Sequence, residues 1–368
     1  MEKTITILKE LVEKRSNTKE GANELLNLIK EKYFKNYEIK EFEFNGYKSF
    51  YASVNNNLNP KILILGHVDT VSAKGWNQRE PFKFTIENNK AYGLGVLDMK
   101  AGVAAMLNLA MNQPTTDVSF LLVTDEEIGG LNGAGEIINL NPPIKPEFVI
   151  AAEPSQNQIA ICAKGFVNIQ ITHKGKAGHS SKPEEGINSI EELGEFIHQI
   201  KKSSIFQIEN PILGKSTFSQ TIIKCDNNRI NQIPNSCETI VNIRFVPELT
   251  KEEIIKSFEE NSKKVKGEII IKAIEPQGVA VNCNPENSYV KKLVKIISSH
   301  QGEISMRGGE GASDARFFAE KNVPVICFGP SGSGMHAPNE YLDLESYSKY
   351  VTILKKFIGT IKEEEDEN

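Results

Sequence analysis

Cysteine is scarce and scattered in this chain. Its five residues, Cys162, Cys225, Cys237, Cys283 and Cys327, include no C-x-x-C pair, so neither a thiolate zinc site nor a disulfide framework is expected, and they read as buried free thiols. No apolar run approaches the roughly 18 residues that a membrane span needs, which argues against a membrane partner. Lys and Arg form no stripe and the net charge is −5, so no nucleic-acid partner is expected. A serine-hydrolase elbow is also missing, because the nearest text to G-x-S-x-G, Gly329-Pro330-Ser331-Gly332-Ser333, fails at its last position. Gly93-x-Gly95 is no dinucleotide fingerprint, since Asp98 stands where the third glycine belongs. The segment from Met1 to Glu10 carries charges through what a signal peptide keeps apolar, and a cytoplasmic protein with a small-molecule partner is expected.

What is present is ordinary globular material, with 39% hydrophobic and 25% charged residues and a mean hydropathy of −0.33. Its 368 residues predict two or three domains at about 150 residues each. Helical spacing of Ile5, Leu8 and Val12, and of Leu25, Leu26 and Ile29, predicts two helices before Phe34; alternation from Tyr37 to Val54 predicts a hairpin or two separate strands. Then come apolar runs at Lys61–Leu65, Val118–Thr124, Phe148–Ala152 and Val323–Phe328, with an Ala- and Leu-rich helix from Ala101 to Asn112. Between about Gly165 and Gly278 the texture changes to strands and two amphipathic helices. The prediction is an α/β catalytic domain (residues 1–164 and 279–368) with a central, mostly parallel sheet flanked by helices, and an inserted α+β domain (165–278). The acidic run from Lys362 to Asn368 reads as a disordered end.

The apolar runs end alike. The first stops at Gly66 and presents His67 and Asp69; the second ends in Asp125-Glu126-Glu127; the third closes on Glu153; the loop after the fourth carries His336; and Asp98 stands at the entrance to the Ala101–Asn112 helix. Taken singly, each has an ordinary explanation, a hydrogen-bonded loop histidine or a solvated acidic turn. In an open α/β sheet, however, the carboxyl ends of the strands share one crevice. His67, Asp98, Glu126, Glu127, Glu153 and His336 are therefore candidates for one metal centre. Two histidines with several carboxylates suit zinc, and the surplus carboxylate points to two ions sharing a ligand. Such a pair activates water against an amide or peptide carbonyl.

Six blocks in order, Gly66-His67-Val68-Asp69-Thr70-Val71, Tyr92-Gly93-Leu94-Gly95-x-x-Asp98-Met99-Lys100, Thr124-Asp125-Glu126-Glu127, Glu153-Pro154-Ser155, Gly178-His179-Ser180-Ser181 and Ser313-Asp314-Ala315-Arg316-Phe317, resemble the acetylornithine deacetylase and succinyl-diaminopimelate desuccinylase family of dizinc amidohydrolases. The resemblance covers nearly the whole chain. It implies two divalent ions, zinc first with cobalt or manganese as alternatives, bridged by Asp98. His67 and Glu153 would complete one site, and Glu127 and His336 the other. It further implies Glu126 as general base, Asp69 as the carboxylate that orients His67, and a cis peptide at Asp98–Met99. The inserted domain would be both lid and homodimer interface, with His179 reaching into the partner's site to stabilise the oxyanion. Asn231 and Arg244 match positions that hold the substrate's α-carboxylate, an ion pair at the surface being the alternative for Arg244. Arg316 also matches a block, with Asp314 near enough to pair with it.

The blocks around Tyr92 and Ala163-Lys164-Gly165-Phe166 look more like the deacetylase branch, which makes N-acetylornithine in arginine synthesis the expected substrate. Desuccinylases carry a more arginine-rich segment near Lys164. Ala101 and the proline-free Ser16–Lys19 loop depart from the family pattern without touching a ligand. A desuccinylase, a dipeptidase, carboxypeptidase or aminoacylase, and a metal-retaining protein without activity are the competing readings.

Overall fold

The computed structural model describes residues 1–366 apart from 303, 310 and 312, with side chains as far as residue 361. The chain divides into two compact units. The first comprises Met1–Ile161, Asn282–Gly309 and the chain from Ser313 onward; the second is Cys162–Val281 with a three-residue piece at 310–312.

In the first unit the central sheet runs, from one edge, through Glu38–Phe44, Tyr47–Ser53, Val118–Val123, Ile62–His67, Phe148–Ala151, Val325–Cys327 and Ile159–Ala163. The four strands from Val118–Val123 to Val325–Cys327 are parallel, while the hairpin at one side and Ile159–Ala163 at the other pair antiparallel. The expected parallel character therefore belongs to the centre, and the sheet as a whole is mixed. Every residue of Ile62–His67 and of Val118–Val123 is buried, as a parallel sheet covered on both faces requires. Helix Ala101–Asn112 packs against both Glu2–Val12 and Leu344–Asp366, and the last keeps the backbone of the acidic run helical through Asp366. That corrects the expectation of a disordered end as far as Asp366; the remainder of the run lies outside the described residues.

The second unit holds a four-stranded antiparallel sheet in the order Thr217–Cys225, Ser236–Phe245, Gly165–Lys174, Glu268–Gly278. Burial alternates along Ser236–Phe245 and Gly165–Lys174, the mark of a sheet covered on one face. Ile169, Ile171, Val241 and Ile243 pack there with Leu193, Phe196 and Phe258 from helices Ser189–Lys202 and Lys251–Ser262. The second helix begins where Thr250 and Glu253 cap each other's backbone N–H groups, a reciprocal arrangement that satisfies two orphan donors.

One cysteine expectation is overturned. Cys225 and Cys237 face each other directly across two antiparallel strands and form a disulfide; Cys162, Cys283 and Cys327 are free. Twelve residues of separation say nothing about pairing until the strand register is known.

Candidate metal centre

Five chain segments deliver the candidate ligands to one place, the fifth being the loop between Gly332–Ser333 and Tyr341–Asp343, which carries His336. His67 is the last residue of its strand, Glu153 stands two residues past Phe148–Ala151, and Glu126 opens a tight turn three residues past Val118–Val123. Asp98 lies in the turn Val96–Lys100 that leads into the Ala101–Asn112 helix. The bond between Asp98 and Met99 is cis. Close backbone packing brings these ends together: a methyl group on Gly102 would meet the Ala152 carbonyl oxygen at 2.1 Å, and one on Gly329 would meet that of Glu153 at 2.2 Å. Only hydrogen fits at either position.

Among the described residues, His67, Asp98 and Glu153 form one group able to hold a cation, and Asp98, Glu127 and His336 form another. Asp98 divides its two oxygens between them. Oδ1 lies 3.4 Å from His67 Nε2, whereas Oδ2 lies 3.2 Å from His336 Nε2. Glu153 Oε1 is 3.8 Å from His67 Nε2, and Glu127 Oε2 is 3.1 Å from His336 Nε2. Glu126 belongs to neither group, with its Oε2 3.9 Å from His67 Nε2.

The donor set fits divalent ions. His67 is buried, and its Nδ1 lies 3.1 Å from the Asp69 carbonyl oxygen; a carbonyl can only accept, so Nδ1 carries a proton and Nε2 is the nitrogen available to an ion. That nitrogen is buried with no hydrogen-bond partner, which is what a metal ligand looks like before its ion is considered. The ring is thus set by the Asp69 main chain, with carboxylate Oδ1 farther off at 3.5 Å. Asp69 Oδ2 instead accepts the N–H of Glu127 at 3.0 Å, so one residue holds two candidate ligands.

The electrostatics are those of a crowded anionic cluster. Burial pushes the Glu126 and Glu127 carboxyls up to about 7, with the negative charge of Asp98 adding to the shift and His67 opposing it. Burial raises Glu153 well above the carboxylate range for the same reasons. Asp98 behaves oppositely: burial would raise it, but the neighbouring His336 and His67 rings hold it well below the usual range. Carboxylates this close repel unless cations sit among them.

The remaining candidates separate into two sets. Arg316 is turned into the protein. It is 3% exposed, donates to the carbonyls of Gly129 at 2.6 Å and Ser313 at 3.0 Å, and lies 3.7 Å from Asp314. Its work is to tie the Gly129 loop to the helix that follows Asp314. His179, Asn231 and Arg244 belong to the second unit. His179 pairs in register with Gln232, and Ser180 N–H donates to the Asn231 carbonyl at 3.0 Å, so these two are neighbours. Ser181 N–H donates to His179 Nδ1 at 3.2 Å, which leaves Nε2 of the exposed ring as the nitrogen able to donate. Arg244 is exposed, with its guanidinium 4.9 Å from the centre of the Phe166 ring.

Two buried charged residues have no role assigned from the sequence. Glu340 is 1% exposed and accepts backbone N–H groups from the Asp98 turn. Lys100, also 1% exposed, donates to the Lys14 carbonyl at 3.2 Å; burial lowers its pKa to about 7, against the opposing pull of Glu340 and Asp69. Neither stands at an apolar strand end, which was the signal that located the others.

A family model described as Peptidase family M20/M25/M40 matches residues 63–360. The chain belongs to this family. As a member it is a hydrolase of amide or peptide bonds. It is 28% identical over 365 residues to a succinyl-diaminopimelate desuccinylase of Nautilia profundicola, with 96% of this chain and 98% of that protein covered. Among solved structures, the aminopeptidase PepT of Bacillus cereus superposes with a TM-score of 0.77 at 18% identity, covering 97% of each chain. The YXEP protein of Bacillus subtilis, described as a dinuclear metal binding peptidase of the M20 family, does so with a TM-score of 0.69 at 15% identity over 98% of this chain and 97% of that one. At such identities the likeness to the two structures concerns the fold. No helix among the described residues is long and apolar enough to cross a membrane.

Proposed function

We propose that this M20-family member is a dinuclear-metal amidohydrolase that removes the acyl group from the amine of a small amino acid, with N-succinyl-diaminopimelate as its substrate. The observation that carries the reaction class is the division of the Asp98 oxygens between two groups of ligands while Glu126 remains outside both. Zinc is the first choice for the ions, given the mixed imidazole and carboxylate donors. Bound there, two divalent ions supply an activated water and polarise the scissile carbonyl.

The protein's own part is proton handling and orientation. Glu126 takes the proton of the attacking water and returns it to the departing amine. Asp69 keeps His67 in the tautomer whose Nε2 is free to ligate, and it fixes the backbone of Glu127. In the second unit, His179 offers its Nε2–H to the tetrahedral oxyanion, reaching a partner subunit's site in a homodimer whose interface and lid this unit provides. His179→Ala is expected to keep two ions per chain and lose about 10²-fold or more in kcat, the effect of deleting one oxyanion donor; near-normal kcat would remove His179 from the reaction.

The acyl group rests on the relatives. Desuccinylases 27–30% identical over 98% or more of their own length support a succinyl substrate and lysine synthesis. One observation favours N-acetylornithine instead: Lys164, the single cation where desuccinylases carry a more arginine-rich segment, donates its ammonium to the Lys215 carbonyl at 2.5 Å. Amine release by the zinc-loaded protein decides between them. A kcat/KM for N-succinyl-diaminopimelate well above those for N-acetylornithine and dipeptides is the expected result. The reverse order would move the protein to the deacetylase or dipeptidase reading.

A further inference from the structure

We propose that Glu340 is a positioning residue of the metal centre, holding the bridging Asp98 in place relative to His336. This rests on the dinuclear reading above and assigns a role to a residue that reading does not use. Glu340 Oε2 accepts Gly95 N–H at 2.8 Å, and Oε1 accepts Leu97 N–H at 2.7 Å and Asp98 N–H at 2.9 Å. Both oxygens are therefore committed to the turn that carries the shared ligand, and one bond goes to the ligand's own backbone.

The same residue belongs to the other side of the centre. It stands four positions after His336, at the end of the loop between strands Gly332–Ser333 and Tyr341–Asp343. Tyr341–Asp343 pairs with Lys90–Tyr92, so the ladder delivers Glu340 beside the Gly93–Asp98 stretch. Its side chain then closes the gap between two loops that are more than 240 residues apart in sequence. Each loop supplies one partner of the 3.2 Å contact between Asp98 Oδ2 and His336 Nε2.

Three amides could be satisfied by a neutral acceptor or by water. Burying a carboxylate to do so is costly, but its bonds to backbone N–H groups are shorter and stronger for the charge. Lys100, buried in the same turn, feels the Glu340 charge, although burial lowers its own pKa to about 7. Asp69 offers an internal parallel, since it accepts the backbone N–H of Glu127 just as Glu340 accepts that of Asp98.

The test is metal binding by folded, metal-free protein. Wild type, Glu340→Gln and Glu340→Ala are titrated with zinc against a chromophoric chelator and with cobalt while its visible spectrum is followed; kcat, KM and melting of the apo-protein are measured beside them. Gln keeps the volume and one acceptor oxygen but turns an NH2 toward a backbone N–H. Both variants are expected to bind ions about 10–100-fold more weakly, the range for losing a partner that orients a ligand. Their cobalt spectra should be altered, and kcat should fall more than KM rises. If Glu340→Ala does not fold, Glu340→Gln decides alone. A folded Glu340→Gln protein with wild-type affinity, spectrum and kcat overturns the proposal, and a lower melting temperature with unchanged metal binding does so equally, because it leaves a purely structural role. Fewer than two ions in the wild type would refute the dinuclear reading itself, and the proposal with it.

Discussion

Glu126→Gln should lower kcat by about 10²–10⁴-fold, the contribution of a positioned general base, while metal content stays at two ions per chain and substrate still binds. The reasoning starts from its exclusion: Glu126 is in the cluster but in neither group of ligands. Burial first, then the neighbouring Asp98, Asp69 and Glu127 charges, raise its carboxyl to about 7 despite His67. A carboxyl near neutrality can both take a proton from water and give it up to an amine. Cations in the centre act against that rise, so the working value is a balance between them and the carboxylates. Glutamine keeps the shape and loses the proton. The measurement is metal analysis with steady-state kinetics: undiminished kcat would place the base elsewhere, and the loss of an ion would make Glu126 a ligand.

Removing Asp98 should be more drastic, because it is the single residue common to both ligand groups. Asp98→Ala is expected to lose tight binding of both ions together. The activity should fall by on the order of 10³-fold or more, since two-ion stabilisation of the reacting oxygens contributes several kcal/mol. His67→Ala, which touches only the first group, should keep the second ion. The apo-protein should remain folded: taking one negative charge from among Glu126, Glu127 and Glu153 relieves repulsion that burial makes severe. Metal analysis and far-ultraviolet circular dichroism of the two variants check this. Retention of one tightly bound ion in Asp98→Ala would mean that the carboxylate does not bridge.

The site was legible to the extent that its residues advertise themselves locally. His67, Glu126, Glu127 and Glu153 follow apolar runs that can only be buried strands, and a parallel sheet must bring such ends to one side. Asp98 was marked by the helix that begins after it. Other residues carry no such mark. Glu340 sits in Ala337-Pro338-Asn339-Glu340, a stretch without periodicity, and its three partners lie 242 to 245 residues earlier. A carboxylate four residues past a candidate ligand and just ahead of a strand was the available hint. Arg316 is a related case: its nearness to Asp314 is visible in the sequence, but its bond to the carbonyl of Gly129 depends on how a loop and a helix meet.

By itself, then, the order of residues determined the secondary elements, an α/β frame interrupted by an α+β segment, and the inventory of histidines and carboxylates at strand ends. Those features depend on short-range periodicity and on where an apolar run stops. Only the tertiary structure decided that Asp98 turns one oxygen to each ligand group, that the Asp69 carbonyl fixes the His67 tautomer, that Cys225 meets Cys237, and that Glu340 is committed to the Asp98 turn. Apart from the His67–Asp69 contact, which joins near neighbours in one turn, each is a contact between segments whose mutual register no local pattern encodes, because strand pairing and loop closure are settled by packing across the whole chain.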